Sequence, residues 1–141
     1  MPPPLQTMEI LSRLDLLPRA RRFVRDFCQT DIRGGFTWES LWQLELAVHE
    51  VATNIIRHAY DNRTDRPILI EIEGFEERIT VHLNHWGKSF TQPESIRPPV
   101  IDGTAKHGFG LYLIEQCVDR VIYAVSPNGK STISLLKQVK D

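Results

Sequence analysis

The sequence predicts an α+β fold, a two-layer α/β sandwich in which a mixed, mostly antiparallel sheet has its helices on one face. Apolar residues recur at helical spacing in the first half of the chain, while later segments alternate apolar and polar residues as strands do. Short turns join these strands into hairpins, and the helices are left to cover one face of the sheet. At 141 residues, a single domain over residues 1–141 is expected.

The N-terminal part is expected to form a tail, a short strand and a helix. Residues 1–7 are predicted to be a flexible tail, and the strand follows at about Met8–Leu14. Pro18 suits the first turn of a helix, because its missing N–H is not needed there. Helical spacing of apolar residues continues from Phe23, and Gly34-Gly35 ends the segment or the loop after it.

The longest predicted helix starts after Thr37, a residue type that caps helix N-termini. Glu39 in its first turn favours the positive end of the helix dipole. One face is apolar over five turns, through Leu41, Leu44, Val48, Val51, Ile55 and Ala59. A turn cluster from Asp61 to Pro67 follows this helix.

Two strands are predicted around Ile68–Ile72 and Ile79–Leu83, with Gly74–Glu77 as their hairpin connection. The segment 88–107 contains several prolines and shows no periodicity. A connection of about 20 residues in a compact domain is typical of a lid or binding loop, and plain disorder is its alternative.

The C-terminal part predicts a helix over Gly108–Asp119 and then a closing hairpin. Its strands are Val121–Val125 and Ser131–Lys137, joined by the turn signal Pro127–Lys130.

Composition excludes several classes of function. The formal net charge of −1 argues against a protein that binds nucleic acid by neutralising phosphates. The sequence has no run of about 18 apolar residues that would span a membrane, and its N-terminus lacks the features of a signal peptide. Cys28 and Cys117 lack metal-ligand spacing and are expected to be buried in a reducing compartment, which predicts a cytoplasmic protein.

A carboxylate and a carboxamide share one face of the longest predicted helix. Glu50 and Asn54 are four residues apart, so their side chains project from the same side of the helix. The carbonyl oxygen of an asparagine suits Mg²⁺ that also keeps water and phosphate ligands. A neighbouring glutamate can accept a proton from an attacking hydroxyl. Taken alone, such a pair is usually no more than a solvated helix face.

Glycine turns supply the second group of candidate residues. Gly108 and Gly110 stand where an apolar helix begins, and backbone amides at such a point can meet phosphate oxygens. Lys106 and His107, just before them, add charge. Gly87 marks another turn directly after a predicted strand. A single Gly-x-Gly is more often an ordinary turn, so the order of the motifs matters more than any one of them.

Metalloenzyme and hydrolase patterns are weaker. His49-Glu50 begins a zinc-protease pattern, but Thr53 stands where its second histidine is required. His82 and His85 are three residues apart on a strand and therefore face opposite sides of the sheet. The sequence also lacks a Gly-x-Ser-x-Gly elbow.

In order and spacing, these motifs resemble the anti-sigma-factor serine/threonine kinase family, within the GHKL (Bergerat-fold) ATPases that share a histidine-kinase-like ATPase domain. The resemblance extends from about Leu14 to Lys137. The segment Glu50–Tyr60 is similar to the family's N-box, and Gly108–Leu111 is similar to its second glycine box. Residues 88–107 take the place of the ATP lid.

This resemblance implies a site for ATP and Mg²⁺. Glu50 would be the catalytic base and Asn54 the magnesium ligand. The backbone amides around Gly108, Gly110 and Leu111 would bind phosphate, with Lys106 adding charge. Thr132 falls where the family often has a threonine near the adenine.

The first glycine box departs from the family pattern Asp-x-Gly. Gly87 is present, but His85 replaces the aspartate that accepts a hydrogen bond from the adenine amino group. An unpaired amino group would cost about 1–3 kcal/mol, or roughly ten- to a hundredfold in affinity.

The function that the resemblance implies is a cytoplasmic regulatory kinase. It would phosphorylate a serine or threonine of a STAS-type anti-anti-sigma protein and sequester a sigma factor or similar target. A homodimer is expected, with no direct contact to nucleic acid or membrane. One alternative is a nucleotide-free partner-binding module that has lost ATP chemistry because His85 replaces the aspartate. Another is a detached histidine-kinase ATPase domain, which the lack of a preceding phospho-acceptor helix disfavours.

Overall fold

A computed structural model describes residues 5–30, 37–75, 77–90 and 109–138. Its elements are given in chain order: β1 (Leu5–Leu11), a 3-10 turn (Leu14–Leu16), α1 (Leu17–Thr30), α2 (Trp38–Asn54), a π-helical turn (Ile55–Ala59), β2 (Pro67–Phe75), β3 (Arg78–His85), α3 (Phe109–Cys117), β4 (Arg120–Val125) and β5 (Ser131–Gln138).

The strands form one sheet in the order β1-β2-β3-β5-β4, and each pair among the described strands is antiparallel. The predicted α+β class is therefore confirmed. The predicted sheet was mixed, whereas the described strands are paired only in the antiparallel sense. Alternate residues of β3 define the face under the helices: Val81 lies opposite Leu135 and Leu83 opposite Ile133, all buried. The other face carries polar side chains.

Helix α2 is the central element of the helical layer. The Ser40 N–H donates to Thr37 Oγ1 at 3.0 Å, which confirms the predicted cap. Farther along, the Arg25 guanidinium of α1 binds the buried Glu45 carboxylate through two hydrogen bonds of 2.9 and 3.3 Å. Such paired geometry fixes the two helices relative to each other.

Several boundaries differ from the predictions. The connection predicted at Gly74–Glu77 is shorter, because β2 continues to Phe75 and β3 begins at Arg78. Strand β1 begins at Leu5 and ends at Leu11, so the expected tail 1–7 is wrong for residues 5–7 and the strand predicted at Met8–Leu14 starts too late. Pairing of these residues with Glu71–Glu73 of β2 explains the error, because that contact is distant in sequence. Helix α3 ends at Cys117, two residues before the predicted Asp119. Of the predicted lid, residues 88–90 are described, and the part from residue 91 onward lies outside the described residues.

The last turn of the long predicted helix is a π-helical turn. The Tyr60 N–H donates to Ile55 O at 2.9 Å and the Asn62 N–H to Ile56 O at 2.8 Å. Asp61 and Asn62 then have positive φ angles of 50° and 63°, which ends the helix. Such turns often occur at functional sites, and this one directly follows Asn54.

The cysteines agree with the prediction that they are buried. Cys28 and Cys117 are both buried free thiols, and burial raises the pKa of Cys28 to about 12. Among the described helices, none is long and apolar enough to cross a membrane.

Candidate functional site

Glu50 and Asn54 lie on α2 at the margin of the core. Val48, Val51 and Ile55 are buried, whereas Glu50 and Asn54 are only half-buried. Within the described part of the chain, neither of these two side chains has a hydrogen-bond partner. The predicted base and magnesium ligand therefore share one helix face at the edge of the core.

Helix α3 packs against α2 near Glu50. Burial raises the pKa of the Cys117 thiol. The positive charge of Lys137 acts to lower this pKa, and the negative charge of Glu50 acts to raise it. Lys137 Nζ also donates to the carbonyl oxygen of Cys117 at 2.6 Å, which anchors the end of α3 on the sheet. The helix after the predicted phosphate-binding glycines is thus fixed beside the helix that carries the carboxylate.

The second glycine box is described in part. Gly110 and Leu111 lie in the first turn of α3, whose free backbone N–H groups suit an anion. Gly108 and Lys106 lie outside the described residues. Phosphate binding at this helix terminus stays a prediction.

His85 ends β3 and is completely buried on the side of the sheet that faces the helices. Its Nδ1 accepts a hydrogen bond of 3.2 Å from the Gly87 N–H. The rings of Tyr60 and Phe90 lie edge-on to the imidazole, with centroids 5.8 and 5.7 Å away. Burial lowers the pKa of His85 to about 4, so the ring is neutral at pH 7.

Ser131 is a candidate residue that the sequence did not reveal. It lies directly opposite His85 across β3 and β5, on the same face, and is 4% exposed. Its Oγ atom and the Nε2 atom of His85 are both buried and have no hydrogen-bond partner among the described residues. Two unsatisfied polar atoms at neighbouring positions indicate a place for a polar ligand, since buried polar groups are normally paired.

Thr132 lies on the opposite face of the sheet from His85. Its Oγ1 donates to Asn84 Oδ1 at 2.6 Å, and Asn84 Nδ2 donates to Glu71 Oε1 at 2.8 Å. The structure therefore does not bring Thr132 and His85 together. The register of β5 against β3 decides this, because a shift of one residue exchanges the two faces.

His82 belongs to the same polar face as Thr132. Its two ring nitrogens hydrogen-bond with Ser134 Oγ at 2.7 Å and Glu73 Oε1 at 2.9 Å. His82 and His85 thus face opposite sides of the sheet, as predicted. Across the described residues, no three His, Cys, Asp or Glu side chains are grouped so that they could hold a metal ion. An ion at Asn54 would take its other ligands from water and phosphate, a combination that Mg²⁺ accepts.

Tyr60 connects the π-helical turn to the end of β3. Its hydroxyl donates to Pro67 O at 2.6 Å and accepts from the Trp86 N–H at 2.8 Å. A cavity of about 370 Å³ opens beside it; Arg63, Arg66 and Lys88 are the cations among its lining residues. Tyr60 lines this cavity and also contacts the His85 ring, so its position controls the surroundings of His85.

Comparison with known proteins gives a consistent result. A sequence profile of the histidine kinase-like ATPase domain matches residues 10–136. The chain is 30% identical to the serine-protein kinase RsbW of Bacillus velezensis over 112 residues, which cover 74% of this chain and 69% of that protein. It is 33% identical to RsbW of Staphylococcus aureus over 116 residues, covering 77% and 72%.

A third relative, the serine-protein kinase RsbW of Listeria innocua, is 33% identical over 96 residues, which cover 63% of this chain. The chain spans only 61% of the length of that relative. Among solved structures, the RsbU and RsbW domains of a Mycobacterium tuberculosis protein match with a TM-score of 0.64 and 14% identity, over 95% of this chain and 32% of that one. This likeness supports the fold alone.

Fold, motif order and sequence relatives agree, and the resemblance predicted from the N-box and the second glycine box is confirmed. The chain belongs to the histidine kinase-like ATPase domain family, and within it is similar to the RsbW serine-protein kinases.

Proposed function

We propose that the protein is an anti-sigma-factor serine kinase that uses a nucleoside triphosphate, ATP by family relationship, to phosphorylate a STAS-type antagonist protein. The observation that carries the proposal is the Glu50–Asn54 pair, which lies half-buried at the margin of the core on α2. The names of the relatives, serine-protein kinase RsbW, support this reading.

The proposed reaction assigns a separate task to each residue. The acceptor hydroxyl of the antagonist forms a bond to the γ-phosphorus and gives its proton to Glu50, while the bond from the γ-phosphorus to the bridging oxygen breaks. Asn54 would hold Mg²⁺, which offsets phosphate charge when bound. The backbone amides at the start of α3, with Gly108 and Lys106 before them, would bind the phosphates.

The proposal also extends to regulation. When unphosphorylated antagonist is scarce, the protein would sequester a sigma factor or a similar target. We expect it to act as a homodimer in the cytoplasm.

Calorimetric titration with ATP and Mg²⁺ tests the proposal directly. We expect binding by the native chain, and transfer of phosphate from radiolabelled ATP to a STAS-type protein that carries an acceptor serine. The variant His85→Asp restores the carboxylate and serves as a positive control for an intact pocket. Absence of heat from the native chain with millimolar ATP, GTP or ITP, together with ATP binding by the variant, would reject the kinase proposal.

That same result would support a second candidate, a nucleotide-free module that binds protein partners. One observation favours this candidate: a neutral, fully buried imidazole, covered by the Phe90 ring, stands in place of a carboxylate. A module of this kind would bind its partner equally well with and without nucleotide.

A further inference from the structure

We propose that the base pocket of this protein selects a 6-oxopurine nucleotide, with guanine or hypoxanthine as its base, over an adenine nucleotide. The basis is the His85–Ser131 pair, which presents a buried N–H donor beside a free hydroxyl. This inference rests on the proposed kinase function and changes only the base that the site accepts.

The hydrogen bond from Gly87 determines which nitrogen of His85 is protonated. The Gly87 N–H donates to Nδ1 at 3.2 Å, so Nδ1 holds a lone pair. A neutral imidazole carries one proton, which must then be on Nε2. Burial lowers the pKa of His85 to about 4, and the ring stays in this neutral form at pH 7. His85 therefore offers a donor where an aspartate would offer an acceptor.

Ser131 supplies the second half of the pair. It lies opposite His85 in the register of β3 and β5, and directly opposed side chains in such a pair have Cβ atoms about 5 Å apart. Its Oγ and the His85 Nε2 are buried and unpaired among the described residues. A hydroxyl can both donate and accept a hydrogen bond. If a ligand accepts a hydrogen bond from His85, Ser131 can therefore pair with the neighbouring group of that ligand, whether that group is a donor or an acceptor.

The edge of a 6-oxopurine matches this arrangement. The exocyclic oxygen of guanine or hypoxanthine can accept from Nε2–H, and the adjacent ring N–H can donate to Ser131 Oγ. In the orientation that the resemblance implies, with the substituent on C6 directed at residue 85, adenine places an amino donor at the position of that oxygen, which sets donor against donor. A bound ligand that leaves buried polar groups of the site without a hydrogen-bond partner is strongly disfavoured, which here applies to the adenine nucleotide.

Titration with the Mg²⁺ complexes of GTP, ITP and ATP tests the inference. We expect the native chain to bind GTP and ITP at least about tenfold more tightly than ATP, as the loss of one buried hydrogen bond implies. His85→Asp should reverse the preference in favour of ATP. Ser131→Ala should weaken GTP and ITP several-fold, whereas Ser40→Ala, at the far end of α2, serves as a matched control that keeps native affinities.

Equal affinities, a native preference for ATP, or an unchanged order in His85→Asp would each overturn the inference. Thermal unfolding of every variant shows whether a lost affinity reflects a lost fold. If the native chain prefers ATP and transfers its phosphate to the STAS-type protein, the base assignment fails and the kinase proposal stands. If the native chain binds none of the three nucleotides, both fail.

Discussion

Gly87 lies directly against the backbone carbonyl of Ala59. A Cβ atom at residue 87 would be 2.3 Å from the Ala59 oxygen and 2.8 Å from its carbonyl carbon. The next residue, Lys88, donates its N–H to the same oxygen at 3.0 Å. The end of β3 and the π-helical turn after Asn54 are thus joined at a point where only glycine fits.

The first prediction concerns Gly87→Ala. The added methyl group must push backbone atoms apart, and we expect a loss of about 1–3 kcal/mol in the free energy of unfolding, measured by urea denaturation. Nucleotide affinity should fall as well, because the displaced turn adjoins Asn54. Gly129→Ala is the control: Gly129 has a φ of 88° and no atom within 4 Å, so stability falls but affinity is kept. Native stability in Gly87→Ala would show that the turn adapts freely.

The second prediction concerns Glu50→Gln, which keeps the shape of the side chain and removes its basicity. We expect nucleotide affinity within about threefold of native and a loss of at least about a hundredfold in phosphate transfer, the usual contribution of a general base. Calorimetry and a radiolabel transfer assay measure the two effects. Glu39→Gln, in the exposed first turn of the same helix, should change neither. Loss of binding together with transfer would refute the assignment of Glu50 as the base.

The third prediction concerns Phe90, one of the two rings that cover His85. Tyr60 is held by two hydrogen bonds at its hydroxyl, whereas Phe90 has no polar group to fix it and lies within the predicted lid. A base that reaches His85 must therefore displace Phe90. We expect Phe90→Ala to bind nucleotide several-fold more tightly, measured by calorimetry. Weaker binding would instead show that the Phe90 ring stacks on the base.

Local sequence patterns predicted the elements that depend on local interactions. The cap at Thr37 and the apolar stripe from Leu41 to Ile55 need only residues one to four positions apart, and both are found. The strand at Leu5 was missed because its stability comes from pairing with β2, more than 60 positions away in sequence.

The candidate site shows the same limit. Glu50 and Asn54 were found because helical spacing alone places them together. Thr132 was chosen from the family resemblance and Ser131 was missed, because neighbouring polar residues on a strand cannot be assigned to a face until the register is known. The orientation of His85 also depends on a contact, the hydrogen bond from Gly87, that no spacing rule contains.

The last prediction concerns stability in acid. Burial lowers the pKa of His85 from 6.5 to about 4, so between these values the unfolded chain binds more protons than the folded one. Stability from this residue is therefore complete above pH 6.5 and is lost as the pH falls toward 4. Between pH 7.5 and 5, the expected loss is about 2 kcal/mol in the free energy of unfolding. Urea denaturation across this range measures it.

A variant that lacks only the His85 imidazole separates this effect from other titrations. His85→Phe should have a flatter dependence of stability on pH between 7.5 and 5, where most carboxylates of folded and unfolded chains remain charged. His49 will keep part of the slope, because burial also lowers its pKa. An unchanged slope in His85→Phe would mean that His85 is protonated in the folded state at pH 5, and that its ring reaches solvent.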